Sequence, residues 1–80
     1  PEQPTLFRQW RILRTLAARH HGVTVDGLAH DMDVSSKTIR RDLDLFRTLG
    51  FPVTEEKGYR GVKTWKMDAS AITPITFTFE

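Results

Sequence analysis

The sequence predicts a small, mainly α-helical domain that ends in a β-hairpin. Three consecutive segments place their apolar residues three or four positions apart, which is the spacing of one helix face. Two later segments flank a connector with two glycines, which is the arrangement of two paired strands. The first segment is rich in Val, Thr and Glu, and the second contains aromatic and basic residues. The chain has 80 residues, which is the size of one domain with a modest core.

The first helix is predicted from about Thr5 to His20, and Gly22 is expected to end it. Apolar residues repeat along one side of this segment and are expected to face the core: Leu6, Trp10, Leu13, Leu16 and Ala17. Three arginines are expected on the outer side: Arg8, Arg11 and Arg14.

The second helix is predicted to begin at Val25 and to end near Met32. The hydroxyl of Thr24 is well placed to cap it, while Gly27 weakens it, so that packing must stabilise this helix. The residues expected to face inward are Val25, Leu28, Ala29 and Met32.

The third helix is predicted from Ser36 to about Leu49, after a tight turn at residues 33–34. Ser35 is expected at its N-cap and Gly50 just beyond its end. Its buried stripe is expected to contain Ile39, Leu43, Phe46 and Leu49.

Beyond Pro52, which blocks further helix, a hairpin is predicted. Its strands are residues 53–56 and 62–67, and the glycines of the connector 57–61 permit positive φ. Trp65 and Met67 share one face of the second strand and are expected to cover the helices. The order of helix, helix, turn, helix and hairpin predicts a three-helix winged helix-turn-helix.

Composition argues against several classes of function. The chain has no cysteine, so it has neither disulfides nor thiolate sites, and its apolar runs are shorter than the roughly 18–20 residues that cross a bilayer. His20, His21 and His30 lack the companions of a metal site, the serines lack a base partner, and no glycine-rich phosphate loop is present. We therefore expect no cofactor, no metal and no enzymatic activity, and a cytoplasmic location.

Charge is segregated along the chain, although the net charge is only +2. Arginines dominate residues 1–19, aspartates dominate residues 26–33, and lysine and arginine exceed aspartate in residues 35–47. Such a distribution can orient a small protein on a polyanion, but it is equally compatible with ordinary solvated charge.

The polar side of the third helix carries the side chains that read base edges in a major groove. Its first turns contain Ser36, Lys37, Thr38, Arg40 and Arg41. Lys37 and Arg41 lie opposite Ile39 and Leu43 and are expected to reach deepest, whereas Arg40 on the flank is expected to hold a phosphate. Backbone amides near Ser35 and Ser36 are expected to bind phosphate as well. The alternative is a solvated face with Arg–Asp pairs within the helix, such as Arg40 with Asp44.

Two further groups are predicted to hold the DNA backbone. The tip of the hairpin clusters Lys57, Tyr59, Arg60 and Lys63, although the glutamates just before it would repel phosphates. On the first helix, Arg11 with its neighbouring arginines is expected to position the domain without reading sequence. The alternatives are a charged solvent loop and a charged outer helix face.

About residues 6–67 of this sequence resemble known regulators. The most specific part of the resemblance is the run Val34-Ser35-Ser36-Lys37-Thr38-Ile39-Arg40-Arg41-Asp42-Leu43. It is similar to the N-terminal winged helix-turn-helix of bacterial WYL-domain transcription regulators and to DeoR-type regulators. The resemblance implies a repressor or activator, usually dimeric, whose C-terminal part senses a ligand such as a nucleic acid or nucleotide.

Taken together, residues 1–68 are expected to form a domain that binds a specific sequence in double-stranded DNA, and residues 69–80 a linker toward a missing effector-sensing domain. The protein is then expected to be nucleoid-associated. Two rival interpretations are a winged helix used for protein–protein contact and a DNA-binding domain fused to an enzyme.

Overall fold

The structure is a computed structural model that describes residues 4–68. Its elements are α1 (Thr5–Ala18), α2 (Val25–Met32), α3 (Ser36–Thr48), β1 (Val53–Lys57), a single 3-10 turn (Tyr59–Gly61) and β2 (Lys63–Met67). The predicted three-helix winged helix-turn-helix is confirmed. The proposed linker at residues 69–80 lies outside the described residues.

Side-chain caps fix the starts of α2 and α3 where the sequence predicted them. The Thr24 hydroxyl accepts a hydrogen bond from the Gly27 amide at 3.0 Å, and the Ser35 hydroxyl accepts one from the Thr38 amide at 3.2 Å. Each bond satisfies one of the amides that a helix start leaves without a partner. Between the two helices, Asp33 adopts the left-handed conformation with φ 57°, which turns the chain sharply into α3.

One core lies where the helices and the hairpin meet. Its most deeply buried side chains are Ile12, Leu16, Leu28, Ile39 and Leu43. Trp65 of β2 is buried and Met67 packs against the core at partial exposure, so the prediction that this strand face covers the helices is confirmed. Ile39 and Leu43 belong to α3, so their burial in this core holds α3 against the other elements.

The inward face of α1 differs from the prediction. Leu16 is buried as expected, but Ile12 is the other buried residue, while Leu6 is 77% exposed and Trp10 is 58% exposed. The helix also ends at Ala18, before His20. The sequence offers two apolar sides on this helix, and tertiary contacts select the one that contains Ile12.

The end of α3 also differs in one residue. Leu49 is 64% exposed instead of buried, because the chain reverses at Gly50, whose φ is 96°. The Phe51 amide then donates to the Phe46 carbonyl at 3.0 Å and the Gly50 amide to the Arg47 carbonyl at 3.0 Å, which is the Schellman pattern. Phe51 takes the position predicted for Leu49, with its ring edge-on to Phe46 at 6.1 Å.

The hairpin is antiparallel and pairs Val53 with Met67 and Lys57 with Lys63. Of the two connector glycines that were expected to permit positive φ, Gly61 adopts it (φ 76°) and Gly58 is extended. Arg60 is also left-handed (φ 59°). On the other edge of β2, Val23 exchanges two backbone hydrogen bonds with Trp65, at 2.8 and 2.7 Å. The connector between α1 and α2 is thereby fixed to the hairpin.

Gly22 and Gly50 provide a matched test of this packing. Both have positive φ, but a Cβ at Gly22 would lie 2.9 Å from the Thr64 Cβ, whereas a Cβ at Gly50 would meet nothing within 4 Å. Gly50→Ala is expected to cost about 1–2 kcal/mol through backbone strain alone. Gly22→Ala is expected to cost more, because it adds a clash with a branched side chain to the same strain.

Urea denaturation of the two variants measures both free energies of unfolding. Equal losses would show that the close approach of Gly22 to Thr64 does not constrain the fold.

Candidate nucleic-acid interface

The sequence around residues 33–43 folds so that one side of α3 must face solvent. Ile39 and Leu43 are completely buried against the core, and the Val34 amide donates to the Ala29 carbonyl at 3.0 Å, which ties the turn to α2. A helix anchored along one stripe presents the opposite stripe outward. That outward stripe begins at the first turn of α3.

Lys37 and Arg41 lie on this outward stripe, as the sequence predicted. Both are exposed, and their positions fall on the side of α3 opposite Ile39 and Leu43. Asp44 and Thr48 continue the same side toward the end of the helix, and both are exposed. The two cations therefore occupy the half of the outward stripe nearest to the helix start.

The hydroxyl side chains at the start of α3 have partners within the protein. The Ser35 and Thr38 hydroxyls share a hydrogen bond at 3.1 Å, and the Ser36 hydroxyl donates to Asp26 Oδ1 at 2.8 Å. Ser35 is exposed, while Ser36 and Thr38 are half-buried. The contacts pre-organise the first turn and join it to the start of α2.

Arg40 lies on the flank of α3 that faces the hairpin. It lines a cleft together with Asp26 at the start of α2 and with Glu55 and Lys63 of the two strands. The ion pairs among residues 4–68 do not include one between Arg40 and Asp44, which the solvated-face interpretation had expected. Arg40 and Lys63 are brought to one cleft by the tertiary fold.

The tip of the hairpin presents the other predicted cations. Lys57 and Lys63 are cross-strand partners, and the Arg60 guanidinium lies 5.3 Å from the centre of the Tyr59 ring. Tyr59 is 82% exposed, which places a cation stacked on an aromatic ring at the outermost point of the hairpin.

The two glutamates of β1 are each balanced by a lysine of β2. Lys63 Nζ lies 3.8 Å from Glu55 Oε2, and Lys66 Nζ lies 3.3 Å from Glu56 Oε1. Cross-strand pairing thus offsets the negative charge that the sequence places next to the tip.

A family model described as an HTH domain matches residues 8–63 of the chain. The chain belongs to this family. The match extends from α1 to the first residue of β2 and includes every residue that the sequence predicted for the interface. No curated protein and no solved structure matches the chain. Helix-turn-helix domains bind double-stranded DNA, so this HTH domain is a DNA-binding domain.

On α1 of the HTH domain, the arginines divide into two groups. Arg11 and Arg14 line a shallow surface depression with Arg19, so that three cations lie together near the end of the helix. Arg8 was predicted on the outer side, and that prediction is wrong. Its Nε donates to Asp42 Oδ2 at 2.8 Å and its Nη2 to Asp42 Oδ1 at 3.2 Å.

Sequence reasoning missed Asp42, which positions α3 in the HTH domain. It is 4% exposed and also accepts a hydrogen bond from Gln9 Nε2 at 3.1 Å. The hydrogen bond that Arg8 donates to Asp42 is the main cause that raises the pKa of Arg8; burial lowers this pKa, and the negative charge of Asp42 raises it further. The sequence did contain a signal for the burial of Asp42. This residue stands three positions after Ile39 and four before Phe46, which places it on the buried side of α3.

Arg47 is a second residue that was left out of the predicted interface. Its guanidinium lies 5.7 Å from the centre of the Trp65 ring, on the same flank of α3 as Arg40. Stacking on the Trp65 ring holds this exposed cation in place.

Within residues 4–68, no group of three or more histidine, aspartate or glutamate side chains is arranged to hold a metal ion. In the same part of the chain, no helix combines the length and the apolar character needed to cross a membrane.

Proposed function

We propose that this HTH domain binds a specific sequence of double-stranded DNA, with α3 in the major groove, as the DNA-binding part of a transcription regulator. The observation that carries the proposal is the exposure of Lys37 and Arg41 opposite the fully buried Ile39 and Leu43. A major groove about 12 Å wide admits one α-helix, and lysine or arginine pairs with guanine O6 and N7 there.

The start of α3 supports the same orientation. A helix N-terminus carries partial positive charge and free amide donors, which favour a phosphate oxygen. Ser35, Ser36 and Thr38 surround this end. The Ser35 and Thr38 hydroxyls share one hydrogen bond, which leaves one of their two protons for a phosphate oxygen, and the Ser36 hydroxyl, which donates to Asp26, keeps lone pairs that can accept from a base. We assign these three residues to phosphates or to the edges of the first bases.

The flanks of α3 supply cations for the two strands of the duplex backbone. We assign Arg40 and Lys63, in the cleft between α3 and the hairpin, to one phosphate strand. We assign Lys57, Tyr59 and Arg60 at the hairpin tip to the adjacent backbone or minor groove, and Arg11 on α1 to a positioning phosphate.

The finer identity follows the family resemblance. We propose a bacterial, cytoplasmic regulator of the WYL or DeoR-like type, in which residues 1–68 bind DNA and residues 69–80 lead toward an effector-sensing part. In that arrangement a homodimer places two α3 helices on half-sites one or more helical turns apart. Either repression or activation fits this arrangement.

A DNA titration at several salt concentrations tests the proposal. The affinity for duplex DNA is expected to fall steeply, with log K decreasing by about 0.9 per phosphate contact for each tenfold increase in salt. Arg60→Gln is expected to reduce this slope by about one, since it removes one phosphate contact. Lys66→Gln removes the same charge beside Glu56 and is expected to leave the slope nearly unchanged.

Fluorescence anisotropy with labelled duplexes, selected from a random pool, measures these slopes and the sequence preference together. A salt-independent affinity for every duplex would contradict the proposal and favour a protein–protein role for the domain.

A further inference from the structure

The Ser36 hydroxyl at the start of α3 has its single proton engaged inside the protein. It donates this proton to Asp26 Oδ1 at 2.8 Å, which joins the first turn of α3 to the first turn of α2. A serine hydroxyl carries one proton and two lone pairs, so Ser36 can only accept from a further partner. The hydrogen bond lies at the exposed surface, so a ligand can approach its oxygen atoms.

Asp26 also offers acceptors and no donor. A carboxylate has two oxygens with about four lone-pair sites, of which the Ser36 proton occupies one. Asp26 is exposed, and the ion pairs within residues 4–68 do not include it. Asp26 and Ser36 are therefore two neighbouring acceptors without a free proton, which we call the acceptor pair.

The acceptor pair lies on the side of the domain that the proposed function places against DNA. Ser36 is the first residue of α3 and lies one turn before Arg40 on the same flank. Asp26 and Arg40 line one cleft. Lys37, which follows Ser36 in the chain, begins the outward stripe of α3. The acceptor pair is thus adjacent to residues assigned to the bases and to the backbone.

The chemistry of the duplex leaves one kind of partner for two acceptors. Phosphate oxygens, guanine O6 and N7 and thymine O4 are themselves acceptors. The donors in the major groove are the exocyclic amino groups, which are cytosine N4 and adenine N6. Adenine also presents the N7 acceptor beside its amino group, whereas cytosine presents the donor alone. Two neighbouring acceptors therefore fit cytosine better than any other base.

We propose that Ser36 accepts a hydrogen bond from the N4 amino group of a cytosine and that Asp26 holds the Ser36 hydroxyl in this accepting orientation. The proposal rests on the proposed function, because it requires α3 in the major groove. The Asp26 carboxylate adds discrimination, since it repels the acceptor atoms of guanine or thymine at the same place. Ser36 determines specificity, and Asp26 is a positioning residue.

The other two hydroxyls of this turn differ from Ser36 in their protons. The Ser35 and Thr38 hydroxyls share one hydrogen bond at 3.1 Å, and the Ser35 oxygen also accepts from the Thr38 amide at 3.2 Å. Two hydroxyls that share one hydrogen bond keep one proton for another acceptor, which suits a phosphate oxygen. Base preference at the proposed cytosine is therefore expected to depend on Ser36 and not on Thr38.

Competition binding with a base analogue tests the proposal on the full chain. A duplex selected from a random pool is compared with duplexes in which each cytosine in turn is replaced by 2-pyrimidinone, which lacks the N4 amino group. At one position the replacement is expected to weaken binding of the wild type about threefold to tenfold, which is the effect of one neutral hydrogen bond. This measurement needs no variant of the protein.

Four variants assign that effect to the acceptor pair. Ser36→Ala removes the acceptor and is expected to bind the natural and the substituted duplex equally well. Asp26→Ala frees the Ser36 proton and is expected to tolerate guanine or thymine at that position. Two controls are expected to keep the wild-type preference: Asp31→Ala, which removes an exposed carboxylate from the end of α2, and Thr38→Val, which removes a hydroxyl from the same turn of α3.

Two failures are distinguishable in this experiment. Sequence-specific binding in which no cytosine amino group matters, or in which Ser36→Ala keeps the wild-type preference, would overturn the inference and leave the hydrogen bond between Ser36 and Asp26 as a brace between two helices. Binding without any sequence preference would overturn the proposed function together with the inference.

Discussion

Replacing Asp42 with alanine is expected to lower the free energy of unfolding by about 3 kcal/mol. Asp42 is 4% exposed and accepts three hydrogen bonds, two from Arg8 and one from Gln9. The alanine variant leaves the guanidinium of Arg8, a side chain that is only 14% exposed, without this acceptor. Because small domains have stabilities of about 5–15 kcal/mol, this loss is a large part of the total.

Asp44→Ala is the matched control, since it removes the same side chain from an exposed position two residues later. It is expected to change stability by no more than about 0.5 kcal/mol. Urea denaturation followed by circular dichroism measures both variants. Similar small losses in the two would show that the contact between α1 and α3 through Asp42 does not stabilise the fold.

Replacing Arg41 with alanine is expected to cost about 1–3 kcal/mol of affinity for the preferred DNA sequence and to relax the preference at one base position. Arg41 lies on the outward stripe of α3, one helical turn after Lys37, where a guanidinium can donate two hydrogen bonds to one guanine. Its removal is not expected to alter folding, because the side chain is exposed.

Lys66→Ala serves as the control for this measurement. It removes an equal charge from the hairpin face that carries the Glu56 pair, outside the cleft lined by Arg40 and Lys63. Competition binding with single-base variants of the preferred site compares the two. A loss of affinity for Arg41→Ala that is uniform over all sequences would identify Arg41 as a phosphate contact and assign base readout to other residues.

Local signals were sufficient for the secondary structure of the middle of the chain. Thr24 and Ser35 were predicted as caps and act as caps, because capping depends on a hydroxyl and on amides within three residues. Ile39, Leu43 and Phe46 were predicted to be buried and are, since α3 has one clearly apolar side. The exposure of Lys37 and Arg41 follows from that side by helix geometry.

Local sequence patterns did not predict correctly which residues of α1 and of the end of α3 are buried. α1 has two apolar sides, so its periodicity does not say whether Ile12 or Trp10 faces the core. The contacts of Arg8 and Gln9 with Asp42 decide the rotation, and they join residues 33 or 34 positions apart. At the end of α3, Leu49 was predicted to be buried, but the reversal at Gly50 exposes it and lets Phe51 pack against Phe46.

The sequence by itself determined the order of the elements, the caps of α2 and α3, the burial of Ile39, Leu43 and Phe46, and the cations on the opposite side of α3. All of these depend on residues within about two helical turns of one another. Only the tertiary structure decided the rotation of α1, the burial of Asp42, the pairing of Glu55 and Glu56 with lysines, and the meeting of Arg40 with Lys63. Each of these depends on side chains that are far apart in the sequence and that pair their charges, form hydrogen bonds or pack together in the fold. No local sequence pattern specifies which distant residues meet.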